Sequence, residues 1–304
     1  MSVLVGLIVT LGMLVIVPVG LRLVGAPEPV AIRRAWPLFA VPGAVCLWLP
    51  RGAPAAALAA CYALGTVLLA LHAPGRLLRT RSVAPAEVAV VAALVSPAIA
   101  ASALVAERSG HRLLGFGPDI LALTVPHFHF AGFAAALVAG LVCRQVDRPA
   151  ARFAALSVPL GTLLVLLGYF LDDRAELAGT LVLTAGMWTV ALLTWRDVSG
   201  DGRADRLTRV LFTVSAAVLV ATMLPALSWA LGEATGLPHP NLTWMAATHG
   251  LGNALGFALC AMAAWHRLRR SDPADGAGRA GRAGRTGRPR RSLRAPESRD
   301  TCEA

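Results

Sequence analysis

Apolar runs long enough to cross a bilayer recur along nearly the whole of this 304-residue chain. A helix needs about 20 such residues to span a hydrocarbon core ~30 Å thick, rising ~1.5 Å per residue. The expected fold is therefore all-α, a polytopic transmembrane helix bundle. Nine runs qualify: Ser2–Leu21, Ala35–Leu49, Pro54–His72, Ala86–Ala106, Pro118–Cys143, Phe153–Leu171, Leu177–Trp195, Val210–Leu231 and Leu242–Trp265. The second is the weakest, because it is short and carries Pro37 and Pro42. The first run lacks a basic leader and an obvious small-residue cleavage site, so it reads as a retained helix rather than a signal peptide.

The charges between runs give an orientation. The first, third, fifth and seventh connections hold 13 arginines: Arg22, Arg33, Arg34; Arg76, Arg79, Arg81; Arg144, Arg148, Arg152; and Arg196, Arg203, Arg206, Arg209. The alternate connections hold four, namely Arg51, Arg108, Arg112 and Arg174. Basic residues gather on the cytoplasmic side, so about nine spans are expected, with the N-terminus outside and the C-terminus cytoplasmic. Dropping the weak second span would break this alternation.

A transmembrane helical domain is thus expected over 1–270, followed by a disordered Arg/Gly-rich cytoplasmic tail over 271–304. The protein is placed in the cell membrane as a multi-pass protein. The net charge of +11 belongs to short loops and this tail, which suits anionic lipid headgroups. No aromatic residues interleave with the tail arginines to stack bases, so no nucleic-acid partner is expected. All 28 basic residues are arginine, which removes phosphate-loop and lysine-amine chemistry. The scattered Cys46, Cys61, Cys143, Cys260 and Cys302 form no CxxC and read as small apolar residues.

An ionisable group inside a span is expensive and normally marks a binding or proton-transfer site. His127 and His129 lie in the fifth run, ~12–15 Å along the helix from its outer end. In the ninth run His249 lies ~10 Å and Asn253 ~16 Å along, so the two sites share a depth. Residues two apart on a regular helix point ~200° from one another, so both histidines face one site only if Pro126 breaks the helix. His127 is the expected inward member, with His129 available for packing. His249 and Asn253, four apart, share a face. Gly252 and Gly256 form a GxxxG that lets a neighbouring helix approach closely. Among the outer acids Asp172, Asp173, Glu176, Glu233, Glu107 and Asp119, which have few basic partners, Asp172 and Asp173 either end a solvated helix or guard a cavity mouth as a burial-raised acid.

Two stretches carry a family resemblance. Thr124-Val125-Pro126-His127-Phe128-His129-Phe130-Ala131-Gly132-Phe133 and Met245-Ala246-Ala247-Thr248-His249-Gly250-Leu251-Gly252-Asn253-Ala254-Leu255-Gly256-Phe257 resemble the two signatures of YndJ-like bacterial membrane proteins. The resemblance implies the architecture and the site more than a reaction. A looser similarity to small polytopic terpene cyclases implies chemistry on an isoprenoid.

The function expected is an integral-membrane enzyme whose His127, His129, His249, Asn253, Asp172 and Asp173 surround a cavity for a hydrophobic small molecule. It would be a proton-initiated cyclase or isomerase of an isoprenoid-like substrate, without a redox cofactor or metal. A greasy cavity shields cationic intermediates from water. The alternatives are a transporter, and a metal or haem protein with His127, His129 and His249 as ligands. The orientation has a direct check: on a cysteine-free background, a cysteine beside Arg112 should react with a membrane-impermeant maleimide on intact cells, and one beside Arg148 should not.

Overall fold

The computed structural model describes residues 2–200 and 202–271, so Asp201, Cys302 and nearly all of the expected tail lie outside the described residues. The described part is helical, with no strand element. Its helices are α1 (Val3–Leu23), α2 (Val30–Cys46), α3 (Ala53–Thr80), α4 (Pro85–Ser109), α5 (Pro118–Gln145), α6 (Pro149–Leu171), α7 (Asp173–Val198), α8 (Arg206–Thr235) and α9 (242–270). Seven of them are long and apolar enough to cross a membrane unaided. The other two are α2, which at 17 residues reaches only ~26 Å, and α9, whose apolar run is interrupted by Thr248, His249 and Asn253.

Local sequence explains where most helices begin. Proline occupies the first turn of α3, α4, α5 and α6, where its missing N–H costs nothing and its fixed φ suits a helix. Polar side chains cap four others: Ser2 accepts from the Val5 N–H, Asp172 from Ala175, Asp205 from Thr208 and Asn241 from Trp244. Asp172 is thus a helix cap at the start of α7.

The helix at the centre is α5. In its most apolar window 83% of the residues are buried, against 33–56% in the other six spans, so it packs against protein where they also face lipid. It touches α1, α4, α6, α7 and α9, while α8 joins α7 to α9 and α2 and α3 pack outside on α1 and α4. The α6–α7 hairpin is drawn tight by glycine. A Cβ on Gly161 would lie 2.5 Å from the Leu183 backbone, and one on Gly168 would lie 2.4 Å from that of Glu176, so neither position admits a side chain unless the helices part.

The two ends of the bundle are built differently. At the arginine-rich end, guanidinium groups close the C-terminus of α1, whose last carbonyls have no helical partner. Arg144 donates to the Val24 carbonyl (2.8 Å), Arg269 to Leu23 (2.6 Å) and buried Arg76 to Gly25 (3.0 Å) and Pro27 (3.1 Å). Glu87 holds Arg76 and Arg144 together, at 2.8 and 2.7 Å. At the other end fully buried Glu107 is bonded by Arg108 and, at 2.9 Å, by Arg51. Glu107 therefore departs from the expectation that the acids at this end have few basic partners: the loop between α2 and α3 folds back to bring Arg51 onto it. Cys46 is buried, whereas Cys61 is exposed on the outer face of α3.

α9 is tied to α8 at the arginine-rich end, where Arg267 donates to Asp205 (2.6 Å) and to the Thr208 hydroxyl (3.2 Å). Hydrogen bonds from Thr208, then Arg267, pull the Asp205 carboxyl down to about 2. The folded value lies below the unfolded ~3.9, so this contribution is present above pH ~4 and lost as pH falls through about 2. Asp205→Asn should lower the thermal midpoint at neutral pH, and its difference from wild type should shrink across that acid window.

Candidate functional site

The two expected histidines of α5 go to different places. His129 is fully buried, with its Nδ1 donating to the Val125 carbonyl (2.7 Å) and its Nε2 accepting from the Tyr62 hydroxyl of α3 (2.6 Å). With both ring nitrogens satisfied, the tautomer follows from the two bonds. Trp36 of α2 meets Tyr62 edge-on at 5.9 Å and donates its Nε1 to the Met13 carbonyl of α1 (2.8 Å). This network joins α1, α2, α3 and α5 and lies away from the cavity described next.

His127 turns the other way. It follows Pro126, which cannot donate to the Ala122 carbonyl, and it precedes a stretch of wide π-type turns over Phe128–Ala135. Its Nε2 is buried and has no hydrogen-bond partner. His127 lines an apolar cavity of about 210 Å³ enclosed by α1 and α5–α9. His249, Asn253 and Glu176 line the same cavity. The structure therefore brings together His127, His249 and Asn253 of the expected site residues and leaves His129 outside. Three histidines do not converge on one point, and among the described residues no group of three or more His, Cys, Asp and Glu side chains is placed to hold a metal ion.

The α9 side of the site depends on close approach to α8. A Cβ on Gly252 would lie 2.6 Å from the Thr222 methyl, and one on Gly256 would lie 2.6 Å from Val218, so both glycines are needed for the contact. The same approach brings His249 Nδ1 to 2.6 Å from the Thr222 carbonyl, while the Thr222 hydroxyl donates to Asn253 Oδ1 at 2.8 Å. Asn253 Nδ2 lies 3.3 Å from His249 Nε2. Since Nδ1 carries the proton given to Thr222, Nε2 holds the lone pair and is the atom able to take up a proton in the cavity. His249 sits in wide π-type turns as well, as His127's neighbours do, and such turns are frequent where a helix serves a site.

The cavity opens into a vestibule of about 390 Å³. His127, Tyr169, Glu176 and Trp229 line both spaces and form the throat between them. Asp172, Asp173 and Glu233 line the vestibule alone, so the two expected aspartates stand at the mouth rather than in the cavity. Glu233 pairs with His239 at 3.0 Å, and the His239 ring meets Trp229 in a T-shaped contact at 4.8 Å. Glu176 is 8% exposed, and its carboxyl has no hydrogen bond or ion pair among the described residues.

Sequence reasoning missed Glu176 as a cavity residue, together with Thr222, Tyr169 and Trp229. Glu176 lies in the first turn of α7, where acids commonly face water, and Gly168 of α6 opposite it is what turns it inward. Glycines at Gly161, Gly168 and Gly179 were the available signal that α6 and α7 meet face to face from end to end.

A family model described as YndJ-like protein matches residues 7–257, a range containing both motif stretches, and the chain belongs to that family. It is a multi-pass membrane protein. Over 205 residues it is 25% identical to the uncharacterized membrane protein YndJ of Bacillus subtilis (strain 168), an alignment covering 66% of this chain and 36% of that relative. The chain thus matches little more than a third of the relative's length. No solved structure matches it.

The separation of the two α5 histidines can be tested through stability. Tyr62→Phe removes the donor to His129 Nε2 and should cost about 1–2 kcal/mol of unfolding free energy in detergent.

Proposed function

We propose that this YndJ-like chain is an integral-membrane enzyme that isomerises or cyclises an apolar, isoprenoid-like molecule by proton transfer within the bundle. The observation that supports this most is the convergence of His127, His249, Asn253 and Glu176, from α5, α7 and α9, on one apolar cavity. Cavity and vestibule together reach the ~300–1,000 Å³ usual for small-molecule sites. With the orientation given by the arginines, the vestibule opens toward the outer face.

The roles follow from the contacts. Glu176 is the carboxyl at the throat with no cation to hold it as a carboxylate, and it is the proton donor. Its transfer to a substrate double bond breaks the carboxyl O–H, forms a C–H bond and leaves a carbocation facing the Glu176 carboxylate. His249 Nε2 then takes a proton from an adjacent carbon, whose C–H electrons form the new double bond. Thr222 and Asn253 are positioning residues that hold the His249 ring and its tautomer. Between turnovers His249 gives its proton up to water and Glu176 takes one from water, with His127 beside them as carrier, which closes the cycle with no net redox change. Asp172 and Asp173 act at the mouth rather than on the reacting atoms.

The reaction leaves an isotopic mark. The full chain in nanodiscs, incubated in deuterium oxide with prenylated phenols, should give an isomeric product carrying one carbon-bound deuterium. Glu176→Gln and His249→Ala should each slow it about 100-fold or more, the scale of lost general acid–base catalysis. Rates unchanged in both variants would overturn the assignment.

A further inference from the structure

The charge of the vestibule bears on what can pass through it. Asp172, Asp173, Glu176 and Glu233 contribute to its lining, and no arginine does. Three of the four arginines at this end are committed elsewhere: Arg108 bonds Glu107 and the Leu49 carbonyl, Arg51 bonds Glu107, and Arg112 bonds the Gly115 carbonyl; the fourth, Arg174, is exposed on the first turn of α7 and does not line the vestibule. Glu233 has His239 as its partner. Asp172 spends one carboxylate oxygen on the Ala175 N–H. What remain are exposed Asp173 and Glu176, and only Glu176 is more than nine-tenths buried, lining both spaces with its carboxyl unpartnered among the described residues. A buried carboxyl left without a donor is the kind of group that a ligand completes.

The other side chains at the throat suit the same ligand. Tyr169, about half exposed, and Trp229 line both spaces with Glu176, and an aromatic face attracts a cation through its quadrupole. The inner cavity beyond is lined mainly by aliphatic, methionine and phenylalanine side chains, including Leu183, Met187 and Met223. An anion entering here would meet four carboxyl groups and no guanidinium, so a diphosphate or carboxylate ligand is disfavoured before it reaches the cavity.

We infer that the throat is a binding site for a lipophilic organic cation: an ammonium group pairs with Glu176 against Tyr169 and Trp229, and its apolar body fills the inner cavity. Binding of this kind involves no turnover, so it stands or falls separately from the acid–base reaction. A positively charged intermediate formed in the cavity would be held by the same groups.

The test uses the full chain in nanodiscs of zwitterionic lipid, titrated against empty nanodiscs with N,N-dimethyldecylamine, decanol and decyl phosphate while tryptophan fluorescence is followed. The amine, an ammonium at neutral pH, should saturate at about a tenfold lower concentration than the alcohol, and the phosphate should give no saturable change. Glu176→Gln should abolish the preference for the amine. Trp229→Leu should weaken amine binding about threefold, read as displacement of a fluorescent amine. Equal affinities for amine and alcohol in the wild type, or a preference that survives Glu176→Gln, would overturn the inference. If Glu176→Gln fails to fold by thermal unfolding, Glu176→Ala and Trp229→Leu decide it, since a preference unchanged in both is equally fatal.

Discussion

The hydrogen bond from Tyr62 to His129 sets the rotation of α5 about its own axis, and α5 is the helix on which much of the bundle packs. In a bilayer an imidazole cannot fall back on water, so turning α5 away from Tyr62 would strand Nε2, while Nδ1 would keep the Val125 carbonyl of its own helix. Once His129 faces α3, the geometry of the helix sends His127 to the opposite side, toward α7, α8 and α9. The cavity histidine is thus placed by a residue that takes no part in the cavity. The same logic recurs on α9, where the carbonyl of Thr222 fixes the ring of His249 and Gly252 and Gly256 permit the approach.

Electrostatics divides the molecule along its length. At one end arginines from three helices saturate the carbonyls of α1, with Glu87 as their common counter-ion. At the other, Arg51, Arg108 and Arg112 are spent on Glu107 and on backbone, and no arginine lines the vestibule beside its acids. A site for proton transfer or for a cation gains from this asymmetry, because no arginine pairs with Glu176 or lines either space.

Much of this was legible in the chain. Helix positions followed from apolar runs bounded by proline and by Ser2, Asp172, Asp205 and Asn241 caps, and the depth shared by His127 and His249 pointed to one cavity. The inward turn of Glu176 was not legible, because it depends on how α7 is rotated against Gly168 of α6, a relation between two helices that neither run contains. Glu107 was misread for the same reason: its partner Arg51 is 56 residues away in sequence. The Tyr62 contact with His129 joins residues 67 apart, and a lone tyrosine in an apolar run carries no mark of it. Periodicity tells which residues share a face, whereas the identity of the opposing face is a tertiary fact.

The arginine clamp on α1 has a consequence for assembly. Arg269 reaches the Leu23 carbonyl across 246 residues of sequence, and the helix it closes supplies Val5 and Ile8 to the cavity wall. During synthesis α1 is made long before α9, so although Arg76 and Arg144 reach their carbonyls earlier, that of Leu23 must wait until the far end of the chain arrives. The cavity wall and the clamp are then completed in one docking event, and a nascent chain cut short before α9 would hold the cavity's α5 histidine without its α9 wall.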